Sequence, residues 1–177
     1  MKTVFMFSGQ GAQYAGMGKD LYDNYAVAKE VFDRADEVLG YSIKDICFSD
    51  EEKLGLTEFT QPAILTMSIA AMKVMQENGI NADMTAGLSL GEYSALVASG
   101  AMKFEEAVAL VQKRGKFMAE AVPNGKGGMF AIIGLDTELV EKSCEEAVKE
   151  IGGVAVPANY NAPGQIVIGG DAATVEK

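Results

Sequence analysis

The sequence runs to 177 residues, 49% apolar and 23% charged, enough for one folded domain or for one domain and part of another. A net charge of −10 argues against nucleic acid as the main partner. The longest apolar run, Ala63 to Met72, is interrupted by Thr66 and Ser68 and is too short to span a bilayer.

In chain order, Lys2 to Phe7 is β-branched and aromatic and reads as a buried strand, and the glycine-rich stretch Ser8 to Gly18 reads as a loop. The apolar stretch of the N-terminus ends at Phe7, too early for a secretory signal, so the expected location is cytoplasmic. Ala26 to Leu39 has a helical period closed by Gly40. Cys47, far from Cys144 and in no metal-ligand spacing, reads with it as a pair of reduced thiols. Glu58 to Glu77 predicts a longer helix with Pro62 in its first turn and Gly79 as its stop. Met84 to Leu88 predicts a short strand, Gly91 to Ser99 a helix ended by Gly100, and Phe104 to Ala121 an amphipathic helix. Residues 123–128, PNGKGG, read as a linker. Beyond it lie a strand (129–133), a helix (137–150), two strands (154–160 and 165–168) and the start of a helix near Ala172. That is the order of a ferredoxin-like split unit without its last strand. The chain therefore divides into an α/β part, residues 1–124, and the first part of a smaller unit, residues 125–177.

The chemistry concentrates at Gly87-Leu88-Ser89-Leu90-Gly91. A strand feeding a helix through Gly-x-Ser-x-Gly is a nucleophile elbow: the glycines let strand and helix approach, and the serine is held strained with its hydroxyl exposed. The N-terminus of the following helix would favour an anion forming beside Ser89, as acyl transfer requires. The loop after the first strand lies at the same end of a parallel sheet, which makes the Gln10 N–H a candidate second oxyanion donor beside that of Leu90. A phosphate-cradling loop is the rival reading, but the Gly-Lys-Ser/Thr ending is missing.

Arg114 follows Val111 by three and precedes Met118 by four, so it falls on the apolar stripe of its helix. A charge aimed inward needs an anionic partner. A carboxylate of the protein would serve, and spacing alone favours it; a carboxylate on a substrate would suit a planar guanidinium as well. Gln61 and the run Asn159-Tyr160-Asn161 are further polar candidates that also read as turn or cap residues.

Taken together, "FMFSGQGAQYAGMG", "TQPAI", "AGLSLGEYSALVASG", "VQKRGKFMAEAVPNGKGGM" and "VPANYNAPGQIVIGG" resemble the malonyl-coenzyme A:acyl carrier protein transacylases and the related polyketide acyltransferase domains. The resemblance implies an α/β-hydrolase-like large subdomain with an inserted ferredoxin-like small subdomain. It also implies ping-pong transfer of a malonyl group from coenzyme A to the phosphopantetheine thiol of a carrier protein, in fatty acid synthesis. By motif, Ser89 would be the nucleophile, Gln10 and Leu90 the oxyanion donors, and Arg114 the clamp on the malonyl carboxylate. Gln61 would line the pocket, and Asn159 and Asn161 would face the coenzyme A or carrier arm. It implies malonyl-CoA as substrate, no resident cofactor or metal, no membrane or nucleic-acid partner, and a monomer at full length.

Two departures stand out. Leu88 occupies the position where the family commonly carries histidine, which would tune the substrate pocket. The sequence contains no histidine at all, whereas the family's catalytic base is a histidine further along the chain. The 177 residues thus resemble the N-terminal portion of a longer enzyme, and loss of the base predicts a chain that is inactive alone, by a factor on the order of 10⁴. Lys113, Lys116 and Lys126 are candidates for docking an acidic carrier. The alternatives are a serine esterase or thioesterase of patatin-like type, which would have no use for Arg114, and a non-catalytic fragment.

Overall fold

The computed structural model describes residues 2–122 and 125–177. Two compact units divide between Ala119 and Glu120.

The first unit is built on a parallel pair, β1 (Val4–Phe7) and β2 (Met84–Gly87), in the register Val4↔Met84 to Phe7↔Gly87. Helices α1 (Lys19–Asn24), α2 (Ala26–Leu39), α3 (Ile43–Ser49), α4 (Glu51–Leu54) and α5 (Thr57–Glu77) separate the strands; α6 (Gly91–Ala98) and α7 (Phe104–Ala121) follow β2. The unit is thus an α/β arrangement. Alternation along the strands turns Phe5 and Phe7 into the core and leaves Val4, Met6 and Met84 on the outer face, Met6 with 82% of its surface exposed. The core joins Val31, Phe32 and Ala35 of α2, Ile43 and Ile46 of α3, Ile64, Leu65 and Ile69 of α5, and Val108 and Val111 of α7. Phe32, Phe48 and Tyr22 pack ring against ring at its edge.

Several boundaries differ from the sequence reading for local reasons. The helices α1, α3 and α4 occupy stretches with no assignment from periodicity. The last two are short helices started by side-chain caps: Ser42 accepts from Asp45 N, and Asp50 accepts from Lys53 N. Pro62 lies in the second turn of α5, not the first, because the helix begins at Thr57. Proline there removes the donor that the Glu58 carbonyl would take, and burial on all sides from Thr60 to Thr66 keeps the helix intact. On α7 the buried stripe is Phe104, Ala107, Val108, Val111 and Gly115; it stops there, and Met118, expected on it, is 43% exposed. The last turns of α7 run beyond the core of the first unit.

The second unit is an antiparallel sheet of β3 (Gly127–Ile133), β4 (Ala155–Ala162) and β5 (Gln165–Asp171) in the order β3-β5-β4. It also holds α8 (Thr137–Ile151) and α9 (Ala172–Glu176). Gly127 and Gly128, read as linker from their composition, are strand residues, because β5 extends to Asp171 and pairs with them. Pro123 and Asn124 of the same stretch lie outside the described residues. A small core of Cys144, Ala155 and Val175, with Val148 and Ile168 against it, holds the helices to one face. Two irregularities in β4, between Pro157 and Asn159 and between Tyr160 and Ala162, bend that strand.

Candidate active site

Three residues, Leu88 to Leu90, separate the end of β2 from the start of α6. So tight a junction works only without side chains at its flanks. A methyl on Gly87 would stand 2.1 Å from the carbonyl carbon and oxygen of Gly91. One on Gly91 would stand 2.2 Å from the Phe7 carbonyl oxygen at the end of β1. Both contacts are with backbone that cannot turn aside. Between them Ser89 takes φ 53°, and it is the one non-glycine residue with positive φ among the described residues. An L-residue there carries about 1–2 kcal/mol of strain. The turn is fastened by Leu88 N donating to Phe7 O (3.1 Å), Gly91 N to Leu88 O (2.9 Å) and Glu92 N to Ser89 O (3.1 Å). Ser89 itself is exposed. The elbow expected from the sequence is therefore present in its backbone geometry.

Because β1 and β2 are parallel, their carboxyl ends coincide, and the loop from Ser8 begins beside the elbow. Four side chains from three separate parts of the chain meet here in one directed series. Arg114 Nη1 donates to Gln61 Oε1 (2.5 Å), Gln61 Nε2 to Gln10 Oε1 (2.9 Å), and Gln10 Nε2 to Thr57 Oγ1 (3.2 Å). A guanidinium only donates, so it fixes the first amide, which fixes the second. The other arm of the guanidinium, Arg114 Nη2, donates to Ser89 Oγ at 3.3 Å. The ring of Tyr93 lies 5.7 Å from the Arg114 guanidinium carbon, a cation–π contact.

The partner that spacing favoured for Arg114, a carboxylate of the protein, is not found: no ion pair of Arg114 occurs among the described residues. Gln61 is buried, 1% exposed, and leaves only its amide for this series. Leu88 is exposed beside the serine. Leu90 is completely buried, with its side chain in the core, so it packs the elbow from beneath. Neither the Leu90 N–H nor the Gln10 N–H has a hydrogen-bond acceptor among the described residues. Asn159 and Asn161 lie exposed on β4 of the second unit. Sequence reasoning missed Thr57 and Tyr93. Thr57 carries no motif, and Tyr93, four residues past the serine on α6, could have been found from helical spacing.

Cys47 and Cys144 are buried and unpaired, and burial pushes the Cys47 thiol up to about 12. No cluster of metal-ligating residues occurs among the described residues, and none of their helices is long and apolar enough to cross a membrane.

The chemistry on offer is an exposed, strained hydroxyl, a cation against it that no carboxylate among the described residues neutralises, and the N-terminus of an eight-residue helix directly behind. That combination can stabilise negative charge beside the hydroxyl.

Residues 4–177 match the acyl transferase domain family. The malonyl CoA-acyl carrier protein transacylase of Bacillus subtilis (strain 168) is 52% identical over 176 residues, which are 99% of this chain and 55% of that protein. The crystal structure of MCAT from Streptococcus pneumoniae superposes with a TM-score of 0.89 at 53% identity, covering 99% of this chain and 57% of that one. A malonyl-transacylase solved in complex with its type II PKS acyl-carrier protein gives a TM-score of 0.90 at 44% identity, with 99% and 57% covered. The chain spans little more than half the length of these relatives. With the family matched over nearly its whole length, the chain belongs to the acyl transferase domain family.

Proposed function

We propose that these residues form the nucleophile-bearing part of a malonyl-CoA:acyl carrier protein transacylase. The observation that carries this reading is the Arg114 guanidinium, 3.3 Å from Ser89 Oγ and without a carboxylate partner among the described residues. In a malonyl ester on Ser89 a single methylene separates the ester carbonyl from the free carboxylate, so the acid falls within reach of that guanidinium. A hydrolase of neutral esters gains nothing from a cation there.

The reaction divides into two exchanges. Ser89 Oγ attacks the malonyl thioester carbonyl, its proton passes to a base, and the coenzyme A thiolate leaves and takes up that proton. The carrier's phosphopantetheine thiol then attacks the serine ester, and the oxygen of Ser89 recovers a proton. The Gln10 and Leu90 N–H groups receive the oxyanion in each exchange. Arg114 selects the dicarboxylic acyl group and orients it, while Gln61, itself held by Gln10, accepts from the guanidinium. Leu88 lines the mouth of the site. No resident cofactor takes part.

The sequence has no histidine. The base is therefore assigned to polypeptide outside these 177 residues, in keeping with the longer relatives. The strand order β3-β5-β4 fits a ferredoxin-like small subdomain lacking its fourth strand, and the parallel pair fits an α/β-hydrolase-like large one. On this reading Asn159 and Asn161 of the small subdomain contact the coenzyme A or carrier arm, and the carrier is an acyl carrier protein, as in the relative solved with one.

The test is a chimera joining residues 1–177 to the part of the Bacillus subtilis relative outside the match. It should transfer malonyl from malonyl-CoA to a holo carrier, read by intact mass. S89A should abolish transfer, R114A should lower malonyl transfer about 10²- to 10³-fold, and the 177 residues alone should run about 10⁴-fold slower than the chimera. Undiminished malonyl transfer by S89A, or equal use of acetyl- and malonyl-CoA by the unmutated chimera, would overturn the reading.

A further inference from the structure

We propose that Gly115 is a positioning residue for acyl selection: it sets where the Arg114 guanidinium stands. The inference rests on the function proposed above. Gly115 is buried on α7 at the point where that helix meets the first turns of α5. A methyl there would stand 2.6 Å from the Thr57 carbonyl oxygen, 2.9 Å from Glu58 Cα and 3.1 Å from Gln61 Cγ. The first two are backbone atoms of α5, so the helix itself must yield. Ordinary contact begins at 3.4 Å, and α7 would have to withdraw by about 0.8 Å at this point.

The displaced segment carries Arg114, and it withdraws from the residue that holds Arg114. Gln61, which takes the Arg114 hydrogen bond, is one of the three residues under Gly115, and Thr57, which anchors Gln10, is another. The close approach of the helices and the Arg114–Gln61–Gln10–Thr57 series are therefore one construction. The stripe ahead of Gly115 is locked in the core at Val108 and Val111, whereas residues 116–121 are exposed, so the helix is free to tilt only beyond Val111, in the stretch that carries both Arg114 and Gly115. A tilt of that size leaves the fold standing and moves the guanidinium relative to Ser89.

The effect is confined to acyl groups that use the guanidinium. In the chimera, G115A should lower malonyl transfer about 10²-fold while acetyl transfer changes less than about threefold, since misplacement by an ångström has costs of that order. In a double-mutant cycle, G115A should add nothing to R114A, because a residue acting only through the guanidinium has no effect once it is gone. Equal loss of malonyl and acetyl transfer, or additivity with R114A, would overturn the inference and leave the proposed function intact. An unmutated chimera without malonyl transfer would remove the function itself. Should G115A fail to fold, judged by loss of Cys47 protection, nuclear Overhauser contacts in the unmutated chain decide. Contacts from the Gly115 α-protons to Glu58 and Gln61 support the inference, and their absence overturns it.

Discussion

The strain at Ser89 makes a prediction whose sign alone is informative. In the interior of a helix or strand, alanine is more stabilising than glycine by about 0.5–1 kcal/mol. At residue 89 the order should invert. The φ of 53° costs a residue with a Cβ about 1–2 kcal/mol, and glycine nothing. Glycine returns about 0.4–1 kcal/mol of this through the greater freedom of its unfolded chain. S89G should therefore be more stable than S89A by about 0.8 kcal/mol, within about 0–1.6 kcal/mol. Both variants lose the 3.3 Å hydrogen bond from Arg114, so that contribution cancels in the comparison. Urea unfolding is the assay, with the reactivity of Cys47, in the core of the first unit, as a probe local to that unit. A glycine variant less stable than the alanine variant would show that the backbone at residue 89 relaxes freely and that the elbow holds no strain.

Two further outcomes follow from side chains outside the site. Arg34 of α2 donates to Glu105 of α7 and holds its carboxyl below the usual carboxylate range. The folded value is depressed, so the stabilisation is present above the ordinary carboxylate pKa and is lost as pH falls through the folded one. E105Q should cost about 0.2–1 kcal/mol at neutral pH, shrinking toward zero as the pH falls through the depressed carboxyl titration, in urea titrations at several pH values. The Cys47 thiol, pushed up to about 12 mainly by burial, should resist an aromatic disulfide reagent at pH 8 until the first unit unfolds. Rapid labelling in native buffer would contradict its place in the core.

Much of the site was legible because it rests on local rules. The elbow needs only a strand, a helix and two glycines at fixed offsets, and the position of Arg114 follows from counting back to Val111. What escaped depended on tertiary neighbours. Periodicity extended the α7 stripe to Met118 because it carries no knowledge of where the opposing surface ends. The short helices α3 and α4, seven and four residues long, give periodicity little length to act on, and their starts at Ser42 and Asp50 rest on single side-chain caps. The Gln10–Gln61 bond spans 51 residues of sequence, and the seat of Gln10 on Thr57 spans 47. No spacing rule reaches that far. Nor does one distinguish an arginine held by an amide and a hydroxyl from one neutralised by a carboxylate, which is the distinction the proposed chemistry depends on.

The outer face of the first sheet has a consequence for handling. Val4, Met6 and Met84 stand in water on a parallel pair, an architecture that ordinarily covers both faces. Such a surface makes molecules adhere to one another, and it does so in proportion to how often they meet. Concentration thus becomes a biochemical variable for this polypeptide: dilution should favour single molecules, and crowding should favour association through this face.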